Sequence, residues 1–275
     1  MSENRDSEHI VLEIPWDRCG TLVQRDNRFM ATVSMEPEKT EEKSHVHDPG
    51  RLRELLYPGN HVLLRKARSP GRKTSWDIIA AWSENGGGHW VLVHSGYHRE
   101  IGERVIKDGH ISPFKGVRRV ESEVKVGKSR LDHRLFIGDA DVENGNDEVV
   151  FVEIKGCTLA VDSVALFPDA PTTRGTRHME DLAEIARNGT RAALVVLIFH
   201  PHVKCFAPNE KTDARFATAF YNAIDAGVEV HPLVFEYVAT GMSPRLCEKT
   251  KERKRGTGRV VFRKNVGVYR GAEKF

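Results

Sequence analysis

Apolar and polar positions change rhythm once along the chain, near residue 100. Before that point, short apolar runs alternate with turn-rich or charged pieces, as half-buried strands do. The runs predict strands over 10–14, 21–24, 29–35, 60–65, 75–82 and 90–94. One helix is expected among them over 48–56. Asp48 can cap it, Pro49 suits its first turn, and Pro58-Gly59 stops it. Five or six short strands with one helix suit a small β-barrel of the oligonucleotide-binding (OB) kind. A fragment of a β-sandwich is the competing arrangement.

Beyond residue 100 the periods lengthen. A helix is expected over 101–110, followed by strands over 119–125, 129–136 and 149–155. Met179, Leu182, Ile185 and Ala186 fall at helical spacing and predict a helix over 173–188, ended by Gly189. Residues 192–199 form a continuous apolar run, which suits a strand buried in a parallel sheet. A helix over 213–226 and a final strand from 228 complete the pattern. This order predicts an α+β or α/β second domain, a mixed sheet with helices on its faces. Boundaries follow at 1–98, 99–240 and a basic C-terminal tail over 241–275.

Composition narrows the class. With 39% hydrophobic and 29% charged residues the chain is an ordinary globular one. No apolar run reaches the length of a membrane span, and the polar first nine residues lack a signal-peptide core. The four cysteines lie far apart with no CxxC pair, which argues against a zinc ribbon or a disulfide framework and for a reducing cytoplasm. Net charge is +3, but residues 245–275 hold 11 Lys/Arg against 3 Asp/Glu, so the body is mildly acidic. The run 249–256 suits phosphate backbones read without sequence preference. A solvated tail with no partner is the alternative.

Candidate chemistry centres on the strand 149–155. Side chains alternate along a strand, so Glu153 and Lys155 share one face while Val152 and Ile154 share the other. A buried strand has little reason to carry two charges on one face unless something uses them. Asp132 lies upstream across a turn-like segment, 138–147, whose best hairpin signal is Asn144-Gly145. A symmetric turn sets Asp132 opposite Glu153 within about two residues of register. Two facing carboxylates raise each other's pKa, and a divalent cation relieves that repulsion. Lys155 then orients the attacking water or meets the developing charge. The plain alternative is a Glu153–Lys155 salt bridge at an exposed strand end. Glu121 or Glu123 offers a third acid. Arg130 shares the Asp132 face and suits a phosphate or an ordinary ion pair.

These residues also carry a resemblance. Glu123-Val124-Lys125-Val126-Gly127 with Ser129-Arg130 and Asp132, then Val152-Glu153-Ile154-Lys155, then Phe167-Pro168-Asp169-Ala170 with Thr172, Arg174-Gly175 and His178, closely resemble the sugar fermentation stimulation protein family. Arg28-Phe29, His47-Asp48-Pro49-Gly50-Arg51-Leu52 with Glu54-Leu55-Leu56 and Pro58-Gly59, and Arg72-Lys73-Thr74 match it too. The likeness spans roughly residues 20–237. It implies an N-terminal OB-like β-barrel followed by a PD-(D/E)xK restriction-endonuclease-like mixed-sheet domain. It also implies nucleic-acid binding, as a nuclease or as a DNA-binding regulator of sugar, notably maltose, metabolism. By motif, Asp132, Glu153 and Lys155 form the catalytic core, with Glu123 the candidate upstream acid. Asp132 and Glu153 are then expected to hold Mg²⁺ or Mn²⁺, and Arg130, Arg174 and His178 to meet nucleic acid, with Asp169 near substrate. His133 and Pro171 depart from the family's usual residues without removing a catalytic group, and the tail lies outside the likeness.

In the barrel-like half, Arg51, Arg53, Arg65, Lys66 and Arg68 with Trp76, Trp82 and Trp90 suit a basic aromatic strand-binding face; tryptophans in the core are the alternative. Asp139, Asp141 and Glu143 imitate a calcium loop but lack its glycine and its terminal glutamate. His45 with His47, His94 with His98, and His200 with His202 are incomplete as zinc sets. The expectation is a cytoplasmic nucleic-acid-binding protein with metal-dependent phosphodiesterase chemistry, or a non-catalytic regulator. The partner is expected to be DNA, with RNA as the other substrate, and a homodimer is one expected assembly.

Overall fold

The computed structural model describes residues 9–68, 71–127, 129–138, 147–249 and 255–270. They divide into two compact units, one built from 9–97, 199–202 and 234–264 and the other from 98–198, 203–233 and 265–270. The turn expected over 138–147 lies mostly outside the described residues, as do 250–254 of the basic run.

The first unit begins with strand β1 (His9–Trp16) and continues through β2 (Arg18–Asn27), β3 (Met30–Met35), β4 (Thr40–His45), β5 (His61–Lys66), β6 (Trp76–Ser83) and β7 (His89–Leu92). Strand β2 pairs antiparallel with β3 and β5, β3 with β4, and β5 with β6. Strands β4 and β6 close the ring in parallel through Ser44↔Trp76 and His45↔Asp77. The result is the expected five-strand barrel of the OB kind. Ala31, Val33 and Met35 alternate along β3 and are buried, and Thr32 between them is buried as well.

The expected helix over 48–56 does not form. Asp48 Oδ1 accepts a hydrogen bond from Gly50 N at 2.7 Å, and Leu52 takes a left-handed φ of 47°. This turn buries Leu52, Leu55 and Leu56 together, and Asn60 Nδ2 donates to Leu55 O at 2.6 Å to hold it. Three leucines buried within five residues outweigh the helix signals of the segment.

The second unit opens with helix α1 (His98–Lys107) and strands β8 (Val117–Val126), β9 (Ser129–Ile137) and β10 (Glu148–Cys157). Strands β11 (Leu159–Val161) and β12 (Val164–Phe167), helix α2 (Thr173–Arg187), strands β13 (Arg191–Ile198) and β14 (Cys205–Pro208), and helix α3 (Ala214–Asp225) follow. Strands β8, β9 and β10 pair antiparallel, and β13 runs parallel to β10, giving a mixed sheet. The apolar run of β13 is buried almost throughout, as a parallel strand covered on both faces requires. Thr172 caps α2 by accepting from Gly175 N at 3.0 Å, and Asp213 caps α3 by accepting from Phe216 N at 3.0 Å.

Strand β15 (Glu229–Ala239) follows, then helix α4 (Pro244–Lys249), strand β16 (Gly256–Asn265) and the short β17 (Gly267–Val268). The segment expected to be a tail outside both domains is therefore largely built into them. In the first unit β16 pairs with β1 from Trp16↔Gly256 to His9↔Phe262, and Tyr237 Oη donates to Ile14 O at 3.0 Å. In the second unit β17 pairs with β14. Val260 and Val261 are fully buried, so the apolar residues of this stretch, rather than its charges, set its structure.

The cysteine expectation is overturned as well. Cys19 and Cys247, 228 residues apart, form a disulfide that ties α4 to β2 within the first unit. Linear spacing carries no trace of this pairing, because the fold alone brings the two elements together. Among the described residues, no helix is long and apolar enough to cross a membrane.

Candidate active site

The β9–β10 ladder runs from Ile137↔Glu148 to His133↔Val152. One step further stand Asp132 and Glu153, the register expected from a symmetric turn. Here the ladder gives way to a side chain: Asp132 Oδ2 accepts from Ile154 N at 2.7 Å. Ile154 faces α1, where a Cβ at Gly102 would approach its Cδ1 to 2.1 Å. By alternation, Glu153 and Lys155 face α2.

Glu153 is 1% exposed. Its Oε1 accepts from Lys155 Nζ and pairs with His178 Nδ1. Lys155 Nζ also lies 3.4 Å from His178 Nδ1, and Arg174 Nε lies 3.4 Å from His178 Nε2. Its second oxygen, Oε2, is buried with no hydrogen-bond partner. Burial pushes the Glu153 carboxyl up, but Lys155 and His178 outweigh that and hold it below the usual range. Burial, followed by the charge of Glu153, raises Asp132 to about 6. The two acids thus differ: one is held ionised by its neighbours, the other is poised near neutrality.

The other residues singled out by sequence fall in different places. Glu123 takes a left-handed φ of 58° and is exposed; it pairs with Arg99 at 3.5 Å and Arg130 at 3.6 Å. It does not complete a three-ligand group with Asp132 and Glu153. His178 is 1% exposed and faces Glu153 instead of solvent. Arg130 and Arg174 are exposed, and Arg177 Nε donates to Ser129 Oγ at 3.1 Å. The first turn of α2 carries Arg174 and no acid, with Arg177 just beyond it, the reverse of what the helix dipole favours unless an anion sits there.

In the first unit Trp76, Trp82 and Trp90 differ in exposure, Trp76 and Trp82 being partly exposed. Trp90 is buried, Trp82 packs edge-on against it at 5.2 Å, and Arg65 is engaged with the Tyr97 hydroxyl and ring. Arg51 instead joins Arg25, Arg28 and Arg53 around a concavity of 340 Å³. Arg25 braces it by donating to Gly50 O at 3.0 Å and Arg28 O at 2.7 Å.

The donor set at Asp132 and Glu153 fits a hard divalent cation. It offers two carboxylates, one with a bare buried oxygen, the other repelled by its neighbour. Sequence reasoning missed that His178 helps hold Glu153. The signal was present: His178, Leu182 and Ile185 share one stripe of α2.

A closed five-strand barrel followed by a mixed sheet that buries an acid–lysine–histidine cluster beside a second acid defines a two-domain class, an OB barrel joined to an α/β unit. Residues 23–93 match the model of the SfsA N-terminal OB domain, and residues 96–241 match that of the sugar fermentation stimulation protein RE domain. The chain belongs to the sugar fermentation stimulation protein family. It is 45% identical over 232 residues to a sugar fermentation stimulation protein homolog of Methanococcoides burtonii, covering 83% of this chain and 90% of that one. A homolog from Thermotoga neapolitana is 42% identical over 219 residues, 80% and 88% of the two chains. The solved structure of Pyrococcus furiosus SfsA in complex with Ca²⁺ superposes with a TM-score of 0.76 at 26% identity, covering 94% of this chain and 99% of that one.

Proposed function

We propose that this protein is a metal-dependent phosphodiesterase acting on nucleic acid, DNA first and RNA as the other substrate class, with the second unit carrying the chemistry. The observation that carries the reading is Glu153: a buried, ionised carboxylate with one bare oxygen, standing beside an acid that it repels. Placing two carboxylates together is costly unless a cation joins them. A related protein was solved with Ca²⁺, a hard oxygen-seeking cation of the class that this donor set suits.

In this reading Asp132 and Glu153 would hold Mg²⁺ or Mn²⁺, which when bound would supply Lewis-acid activation of a water and offset phosphate charge. His178 and Lys155 fix the Glu153 carboxylate through its other oxygen. The remaining ammonium protons of Lys155 are available to orient the attacking water or to meet charge developing on the phosphate. Arg174 and Arg177 at the start of α2 and Arg130 on β9 receive the phosphate backbone. In the first unit, taken by itself, the Arg28, Arg51 and Arg53 guanidiniums are suited to phosphate groups.

A second reading has its own support. Oε1 of Glu153 is engaged by both Lys155 and His178, and Glu123 completes no three-ligand group. A site closed in that way suits a DNA-binding regulator that does not cut. The two are separated by incubating the purified full chain with single- and double-stranded DNA and RNA in Mg²⁺, Mn²⁺ or chelator. The phosphodiesterase reading expects cleavage that chelator stops. Metal-independent binding with no cleavage of any substrate favours the regulator.

A further inference from the structure

Barrel closure in the first unit collects three residues that are distant in sequence. His47 follows β4 by two residues, Asp77 lies in β6, and His94 follows β7 by two residues. Pairing of β4 with β6 sets His45 opposite Asp77, which brings His47 to it. His47 Nε2 stands 3.0 Å from Asp77 Oδ1, and the His47 and His94 rings stack with centroids 3.7 Å apart. One ligand atom from each of the three residues lies within 4.8 Å of the others.

We propose that His47, Asp77 and His94 form a second metal site, assembled wholly within the barrel unit, that takes a borderline divalent transition cation such as Zn²⁺. Two imidazoles and one carboxylate are the donor set of open three-ligand sites for such ions, and they differ in kind from the all-carboxylate pair at Asp132 and Glu153. The independent pointer is His94. It is 6% exposed, yet neither ring nitrogen has a hydrogen-bond partner. Buried polar atoms are nearly always satisfied and an orphan is costly, so two on one ring call for a ligand. His47 Nε2 and Asp77 Oδ1 are hydrogen-bonded at 3.0 Å, so the two candidate ligand atoms already face each other.

The surroundings fit as well. Arg72 holds the Asp77 carboxylate at 2.6 and 3.1 Å, an outer partner that fixes its orientation. Ser95 Oγ donates to His47 O at 2.8 Å and pins that backbone. A cavity of 510 Å³, lined in part by His45, His47, Arg72 and Lys73, leaves room for water or an anionic group on the ion. The competing account is a stacked histidine pair braced by an Asp77–Arg72 ion pair, with no ion.

The test uses the full chain carrying Asp132→Asn and Glu153→Gln, which removes the carboxylate site. After chelation and dialysis, Zn²⁺ is titrated by calorimetry and Co²⁺ by its visible absorption. The proposal expects one equivalent of Zn²⁺ and a Co²⁺ spectrum typical of nitrogen–oxygen ligation. Adding His94→Gln, or His47→Gln at a less buried position, should weaken binding at least tenfold. Absence of binding in the parent, or unchanged affinity and spectrum in both histidine variants, overturns it.

Discussion

Glu153 concentrates the energetic tension of this protein in one side chain. A carboxylate 1% exposed stays ionised only because Lys155 and His178 meet it. Removing one partner leaves a buried charge half compensated, which typically costs 3–5 kcal/mol, whereas removing both charges together costs far less. Lys155→Met should therefore destabilise by about 3 kcal/mol in chemical denaturation, and the double change Lys155→Met with Glu153→Gln should recover most of it. Additive losses in the double variant would show that the two do not form one network. Asp132 makes a second prediction. Its pKa stands at about 6 in the fold, against roughly 3.9 in an unfolded chain. The folded state then binds more protons between about pH 4 and 6, so metal-free stability falls as pH rises through that window, by up to about 3 kcal/mol. Asp132→Asn should match the wild type near pH 4 and exceed it at pH 8 in thermal melts with chelator. Asp132, Glu153 and Lys155 were legible from strand alternation and a symmetric turn. The engagement of His178 was not, because a histidine on a helix reads equally as surface or core until its neighbours are known.

At the scale of elements, one residue joins two helices. Asp213 Oδ1 caps α3, while its Oδ2 accepts from Thr172 N, the residue that caps α2. Since α2 carries Arg174 and His178, the cap also positions the candidate site. Asp213→Ala should cost about 1–2 kcal/mol and reduce turnover more than substrate binding; a loss confined to stability would detach the cap from the site. Helices α1, α2 and α3 and the long strands β8, β9, β10 and β13 were readable from periodicity because long, regular elements impose it, whereas the short strands β11, β12, β14 and β17 are too brief to carry a period. The segment 48–56 was misleading for a physical reason. Its Asp, Pro and Gly signals are common to helices and turns, and the choice was made by burial of Leu52, Leu55 and Leu56, which no local window contains.

At the scale of the whole molecule, what the sequence conceals is long-range closure. The charge excess after residue 245 suggested a loose arm, yet β16 pairs with β1 and Cys247 is bonded to Cys19. A link across 228 residues restricts the unfolded chain by about 5.4 kcal/mol in the chain-entropy account. Reduction, or Cys247→Ser, should lower the melting temperature by about 10 °C; an unchanged melt would mean the bond adds nothing to stability. Truncation at residue 240 should likewise weaken the barrel unit through loss of β16, beyond any effect on nucleic-acid binding. The carboxylate pair is tested most directly by cleavage of DNA by Glu153→Gln set beside the wild type in Mn²⁺, with affinity measured in parallel. The account predicts at least a roughly thousandfold slower cut, ~4 kcal/mol of barrier, with binding retained. Cleavage by Glu153→Gln at the wild-type rate would contradict it.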